Sequence, residues 1–156
     1  MTVAVRSPAT FGCPCVIRQE EEDMTLSEYF NRAQGIGVLA TADSEGKVDA
    51  AIYSTPRVME DGSVAFIMRD RLTHHNLQSN LWAHFLFIES GGRASGVRLY
   101  LKKLKEDDNP ALIAEMTRRH LSAEEDKALG PKYLVYFSVE KVLPLIGSAN
   151  SPITVP

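Results

Sequence analysis

The chain has 156 residues, 44% apolar and 24% charged, with 17 Lys+Arg against 20 Asp+Glu for a formal net charge of −3. Such a chain forms one ordinary globular domain that buries roughly 68–70% of its unfolded surface without staples. Its mild acidity argues against a nucleic-acid partner, and no apolar run approaches the ~20 residues that span a bilayer.

Residues 1–23 read as an arm. Pro8, Gly12 and Pro14 punctuate it, the acidic run Glu20-Glu21-Glu22-Asp23 closes it, and it sustains no period or secretory apolar core. Its cysteines, in Cys13-Pro14-Cys15, are too few for a disulfide framework and too close for an unstrained bridge. A reducing, cytoplasmic location follows as the expectation.

Thr25-Leu26-Ser27-Glu28 is a capping box. Leu26, Tyr29, Phe30 and Ala33 follow at i, i+3, i+4 and i+7, which predicts an amphipathic helix ended by Gly35. Residues 36–42 are a short apolar strand, Asp43-Ser44-Glu45-Gly46 a turn, and 47–55 the return strand. Glu60-Asp61-Gly62 signals a second hairpin. Residues 63–68 and 82–88 are strands apolar on both alternating faces, which must be covered on both sides. Between them, 72–80 has room for one short helix.

Gly91-Gly92 marks a loop, and 97–103 alternates cleanly as a half-exposed strand. Asn109-Pro110 opens a helix with Leu112, Ile113 and Met116 inward. Ser122-Ala123-Glu124-Glu125 is a second capping box, closed by Gly130-Pro131. Residues 133–139 and 142–146 are the last strands. The body is therefore 24–147, with a frayed tail at 148–156. No βαβ repetition appears, so the order predicts a small closed or partly closed antiparallel barrel.

Chemistry concentrates where the third strand runs into the inserted helix, Phe66-Ile67-Met68-Arg69-Asp70-Arg71-Leu72-Thr73-His74-His75-Asn76. A helix N-terminus with a guanidinium and a hydroxyl beside it suits an anion. The plainer alternative makes Arg69 and Arg71 solvated and Thr73 a cap. A second stretch, Asp49-Ala50-Ala51-Ile52-Tyr53-Ser54-Thr55, has two alanines followed by hydroxyls near a strand end, which leaves backbone accessible. A flat ligand suits it, although, taken alone, the stretch is better explained by small residues that merely accommodate packing.

Taken in order, Gly37-Val38-Leu39-Ala40-Thr41-Ala42, the strand to Thr55, residues 62–68, Thr73-x-x-Asn76-Leu77 and Asn80 resemble the pyridoxamine 5′-phosphate oxidase-like family. The resemblance covers about residues 25–105. It implies a mainly β split barrel with peripheral helices, a homodimer, and FMN at the subunit interface. By that pattern Ala51, Ile52, Tyr53, Ser54 and Thr55 run beside the flavin ring, and Phe66, Ile67 and Met68 flank it. Arg69, Leu72, Thr73, His74 and Asn76 surround the phosphate or its approach, and Gly96 and Arg98 lie on the strand reaching in from the partner subunit.

The departures narrow the expectation. Leu72-Thr73 stands where the biosynthetic oxidases carry Arg-Lys, Ala51 where they carry Arg, and the C-terminus lacks their Arg and Trp residues. Conversion of pyridoxamine phosphate is thus not expected. What remains is a small flavin-dependent oxidoreductase with a small-molecule redox partner such as NAD(P)H. The alternatives are a non-catalytic flavin-binding or sensing protein, or a barrel holding deazaflavin or haem. No residue stands out as an acid, base or nucleophile. His74 and His75 are adjacent, so on a helix they point about 100° apart and do not chelate one metal. His84 reads as a core or interface histidine, and His120 suits a helix C-terminus.

Overall fold

The computed structural model describes residues 24–91, 94–117, 121–148 and 151–155. The arm with Cys13 and Cys15, and His120, lie outside the described residues. The chain forms β1 (Met24–Thr25), α1 (Leu26–Arg32), β2 (Gly35–Ala42), β3 (Val48–Tyr53), β4 (Arg57–Val58), β5 (Val64–Arg69) and α2 (Leu72–Ser79). There follow β6 (Trp82–Glu89), β7 (Gly96–Asp107), α3 (Pro110–Met116), α4 (Ala123–Ala128), β8 (Lys132–Pro144) and β9 (Ile153–Thr154).

Seven strands make one sheet in the order β3-β2-β6-β7-β8-β5-β4, antiparallel throughout. Ring contacts show how far it curls. Phe66 of β5 and Phe85 of β6 are separated by two intervening strands, yet their centroids lie 5.0 Å apart. Tyr53, on the edge strand β3, reaches Phe66 at 6.0 Å. A flat sheet at roughly 4.8 Å per strand cannot make either contact. The sheet is a half-barrel wrapped around Leu39, Phe66, Phe85, Phe87, Leu99 and Phe137, all buried.

Two helices seal this half-barrel. The α1 capping box is complete: the Thr25 hydroxyl accepts from the Glu28 amide, and the Glu28 carboxylate accepts from the Thr25 amide. Its Leu26, Tyr29 and Phe30 are buried, with Phe30 edge-on to Phe87 at 5.5 Å. The Tyr29 hydroxyl donates to Glu89 at 2.5 Å, and burial together with that carboxylate pushes its pKa up. Helix α2 packs on β2, β3 and β5. Its Leu77 is fully buried, and buried Asn76 donates from Nδ2 to the Thr41 hydroxyl at 3.1 Å.

Five local expectations change. Gly35 opens β2 rather than closing α1, because a Cβ there would lie 2.0 Å from the Ile88 carbonyl oxygen. The return strand β3 stops at Tyr53, two residues short of Thr55. β7 runs on to Asp107, and β8 is one strand rather than two. Both longer strands pass through irregularities that the alternation rule cannot see: the partner of Tyr100 is Lys141 but that of Leu101 is Val139, leaving Glu140 bulged. Finally, Ile153 and Thr154, read as frayed tail, pair with β1 as β9, and Ile153 enters the core.

The outer side of the sheet is covered in one place. Helix α3, capped by Asn109, lays Ile113 on Ala65, Leu134 and Tyr136 of β5 and β8. Elsewhere the outer residues of β3, β2, β6 and β7 have no cover from the described chain. One row runs Ile52, Val38, Leu86, Arg98, and the next Ala50, Ala40, His84, Tyr100. Ile36, Val48, Ile52, Trp82, Ile88 and Tyr100 are all exposed there, Ile52 at 79%. Among the described residues, no helix is long and apolar enough to cross a membrane.

Candidate functional site

The end of β3, the turn after β5 and the start of α2 meet because α2 plugs the gap between strands β3 and β5. Tyr53 points inward. Burial raises its pKa, the hydrogen bond with Thr73 and the nearby Arg71 act the other way, and Asp49 adds to the rise. Thr73 is itself buried, so its hydroxyl serves as a latch to β3. Arg71 is the N-cap residue of α2 but makes no side-chain cap. Its guanidinium is exposed and has no hydrogen-bond or ion-pair partner among the described residues. Leu72, next to it in the chain, is exposed, as is Ser54 just past the end of β3, while Ala51 and Thr55 are half-buried.

The other expected residues are placed differently. Phe66 and Met68 are in the barrel core, and Ile67 faces the opposite side, packed under α3. Arg69 also points to that outer side. It donates from Nη1 to the carbonyls of Asp126 and Gly130 and from Nη2 to the Asp126 carboxylate at 2.7 Å. Arg98 is committed to the C-terminal segment, donating to the carbonyl oxygens of Pro144 and Gly147. Gly96 is a close-packing position with φ +147°, where a Cβ would meet the Phe87 carbonyl oxygen at 2.0 Å.

His74 is buried and ties α2 to two strands. Its ring stacks on Tyr133 at 4.1 Å and 7°, with Nε2 3.2 Å from Glu106 and Nδ1 3.4 Å from Asp70. Burial alone would raise the Glu106 pKa. Hydrogen bonds from Lys103 and Gln78, with Lys103 and His74 alongside, hold it below the usual carboxylate range instead. His74 and Asn76 therefore position α2, and neither side chain is open to a ligand. On the uncovered face, His84 lies edge-on to Tyr100 at 4.9 Å. Burial and the charge of Arg98 lower its pKa, which favours the neutral ring.

The site thus gathers Tyr53, Ser54, Thr73, Leu72 and Arg71 at the free edge of the sheet, next to the uncovered apolar face. Sequence reasoning did not single out Arg71 over Arg69. The strand alternation held the signal: Arg69 continues the outer series Ala65 and Ile67, so it belongs under α3 and α4, whereas Arg71 falls in the turn. A separate groove of about 580 Å³ lies between the β4–β5 hairpin, β7 and α3, lined by Met59, Leu112, Met116 and Tyr136 among others. None of the candidate residues lines it.

No protein-family model matches the chain, and no curated protein matches it. Solved structures do. An FMN-binding protein from Syntrophomonas wolfei subsp. wolfei is similar at a TM-score of 0.63 and 19% identity, over 82% of this chain and 88% of that one. An F420 reductase is similar at 0.58 and 12% identity, over 74% and 94%. HutZ, the haem storage protein from Vibrio cholerae, is similar at 0.55 and 16% identity, over 74% and 89%. Likeness at these identities establishes the fold. The chain has the split β-barrel fold that the sequence resemblance implies.

Proposed function

We propose that the protein binds FMN as a homodimer and works as a small flavin-dependent oxidoreductase with a small-molecule redox partner such as NAD(P)H. The observation that carries this reading is the uncovered apolar face of β3, β2, β6 and β7 beside a free sheet edge and an exposed guanidinium. Six large apolar side chains exposed on one four-stranded surface call for a cover of the same character. A second copy supplies one through a self-complementary contact.

The residues present suit a flavin in part. Among the described residues β3 has a neighbour strand on one side only, so the backbone N–H and C=O groups of its other side match the alternating donors and acceptors on the edge of a flat heteroaromatic ring. Arg71 would take the cofactor's anionic group, and Ser54 would add a hydroxyl. With one exposed arginine at this place among the described residues rather than several, the phosphate would be held less tightly than by a cluster of arginines. A bound flavin supplies the electron or hydride transfer itself. The chain contributes orientation, the positive charge of Arg71, and a water-poor surface once the second copy covers Ile52, Val38 and Leu86.

A titration of the purified protein with FMN, followed by flavin fluorescence, tests the proposal. Saturable binding at one flavin per chain, on a dimer in sedimentation, is the expected result. A monomer that leaves flavin fluorescence unchanged overturns it. Bleaching of the bound flavin by NAD(P)H separates an oxidoreductase from a protein that only stores or senses the cofactor.

A second reading rests on His84. A half-buried imidazole held in its neutral form, on an apolar face next to Tyr100, is competent to ligate a metal. A Soret band that appears with haem and is lost in His84→Ala selects that reading over FMN.

A further inference from the structure

We propose that Arg69 and Lys132 form an anion-binding site that α4 fills with its own Asp126 carboxylate, and that a phosphate group displaces α4 from it. The inference does not depend on the flavin reading, since the site lies on the outer side of β5 and β8, away from the barrel interior. Arg69 and Lys132 are directly opposite each other in the β5–β8 pairing. Their side chains, 16% and 19% exposed, converge on a single oxygen: Arg69 Nη2 is 2.7 Å and Lys132 Nζ 2.6 Å from Asp126 Oδ1.

Two cations sharing one carboxylate leave a positive charge unmatched. Of the neighbouring acids, Glu125 and Asp70 bond to neither cation. The Glu125 carboxylate is spent on the amide and hydroxyl of Ser122, and Asp70 lies against His74. Hydrogen bonds from Lys132 and Arg69 hold Asp126 below the usual carboxylate range, so the present occupant is an anion at neutral pH. A phosphate dianion matches the charge of both cations and offers oxygens to the guanidinium fork as well as to the ammonium.

The occupant is also loosely held. α4 has six residues and buries none of them. It is tied to the sheet by the Asp126 carboxylate and by the carbonyls of Asp126 and Gly130, all on the same two cations. Partly exposed ion pairs of this kind each contribute little. An anion that takes the carboxylate's place therefore removes what docks the helix, and ligand binding and α4 docking exclude one another.

Inorganic phosphate is the probe, at constant ionic strength with chloride as the control. In the wild-type protein, phosphate should raise amide hydrogen exchange in residues 123–130 and leave β5 and β8 unchanged, while chloride does neither. Asp126→Asn removes the competing charge with little change of shape, and should bind phosphate at least tenfold more tightly than wild type. Adding Lys132→Gln should abolish that gain. Exchange in 123–130 that is unchanged or slowed by phosphate overturns the proposal, as does an Asp126→Asn protein with wild-type affinity. Should Asp126→Asn not fold, Lys132→Gln alone decides: it must lose the phosphate-induced exchange, and retention of that response overturns the site.

Discussion

Two outer surfaces of the same sheet make opposite arrangements for apolar side chains. On β5 and β8 the outward residues Ala65, Ile67, Leu134 and Tyr136 lie beneath α3, a cover built into the chain. On β3, β2, β6 and β7 the outward residues Ile52, Val38, Leu86 and Ile88 are as apolar, yet the described chain provides nothing over them. Strands that are apolar on both sides reflect burial on both sides. The difference teaches that one half of the sheet is finished by the fold, and the other half is left open by the described chain, as the proposed dimer requires.

If that contrast is right, mutations on the two surfaces fail in different ways. The largest effect is expected on the built-in cover. Ile113→Ala empties a site that is 5% exposed and should cost about 2–4 kcal/mol. Urea unfolding should give that loss at every protein concentration. A loss that shrinks as the protein is concentrated would place Ile113 at an association surface and break the contrast.

On the open surface, Leu86→Asp should leave the fold of a single chain intact, because Leu86 is only half-buried in it. In the proposed dimer the same charge would be trapped against apolar partners, and association should weaken by about a hundredfold, roughly 2.7 kcal/mol. Sedimentation across a concentration series reads this directly. A variant that stays dimeric shows that a different surface associates.

The third test sharpens the comparison at the residue level. Arg71 stands at the edge of the open surface and Arg69 under the covered one. Arg71→Ala should weaken FMN binding about tenfold, roughly 1.4 kcal/mol, while Arg69→Ala should leave it within about twofold. Equal losses would mean that the two arginines serve one anion, contrary to their placement on opposite sides.

Much of this was legible in the residues. Both capping boxes, the hairpin turns and the inserted helix follow from side-chain chemistry acting over three or four positions, which the sequence carries locally. The doubly apolar character of β5 and β6 announced two apolar faces and led to the expectation that both are covered; α3 covers the outer one at β5, while the described chain leaves that of β6 open. The sequence could not say which cover is α3 and which is absent, because that depends on how the sheet curls. The candidate site was legible as a place and not as a set of contacts. Thr73, His74 and Asn76 read as ligand groups, since the turn-and-helix pattern shows hydroxyl, imidazole and amide without showing Tyr53, Tyr133 and Thr41 waiting for them. β8 was read as two strands for a related reason: a bulged Glu140 breaks the alternation, although the backbone pairing continues.

The smallest effect expected is a pH dependence of association, and it too belongs to the open surface. His84 sits in the row of Ala50, Ala40 and Tyr100, with Arg98 nearby, and burial is the main reason that its pKa lies below the usual value. A folded-state imidazole with a lowered pKa takes up its proton less readily than the same group in water. Its contribution is complete above the usual histidine range, and is lost as the pH falls from that range towards the lower folded value. A second copy laid over the ring lowers the pKa further, so acid should loosen the dimer severalfold between about pH 7 and pH 5. His84→Gln cannot take up a proton and should flatten that profile, while leaving unfolding of the monomer nearly unchanged. A dimer whose dissociation constant ignores pH in the wild type, or keeps its slope in His84→Gln, would show that this ring is not covered by a partner.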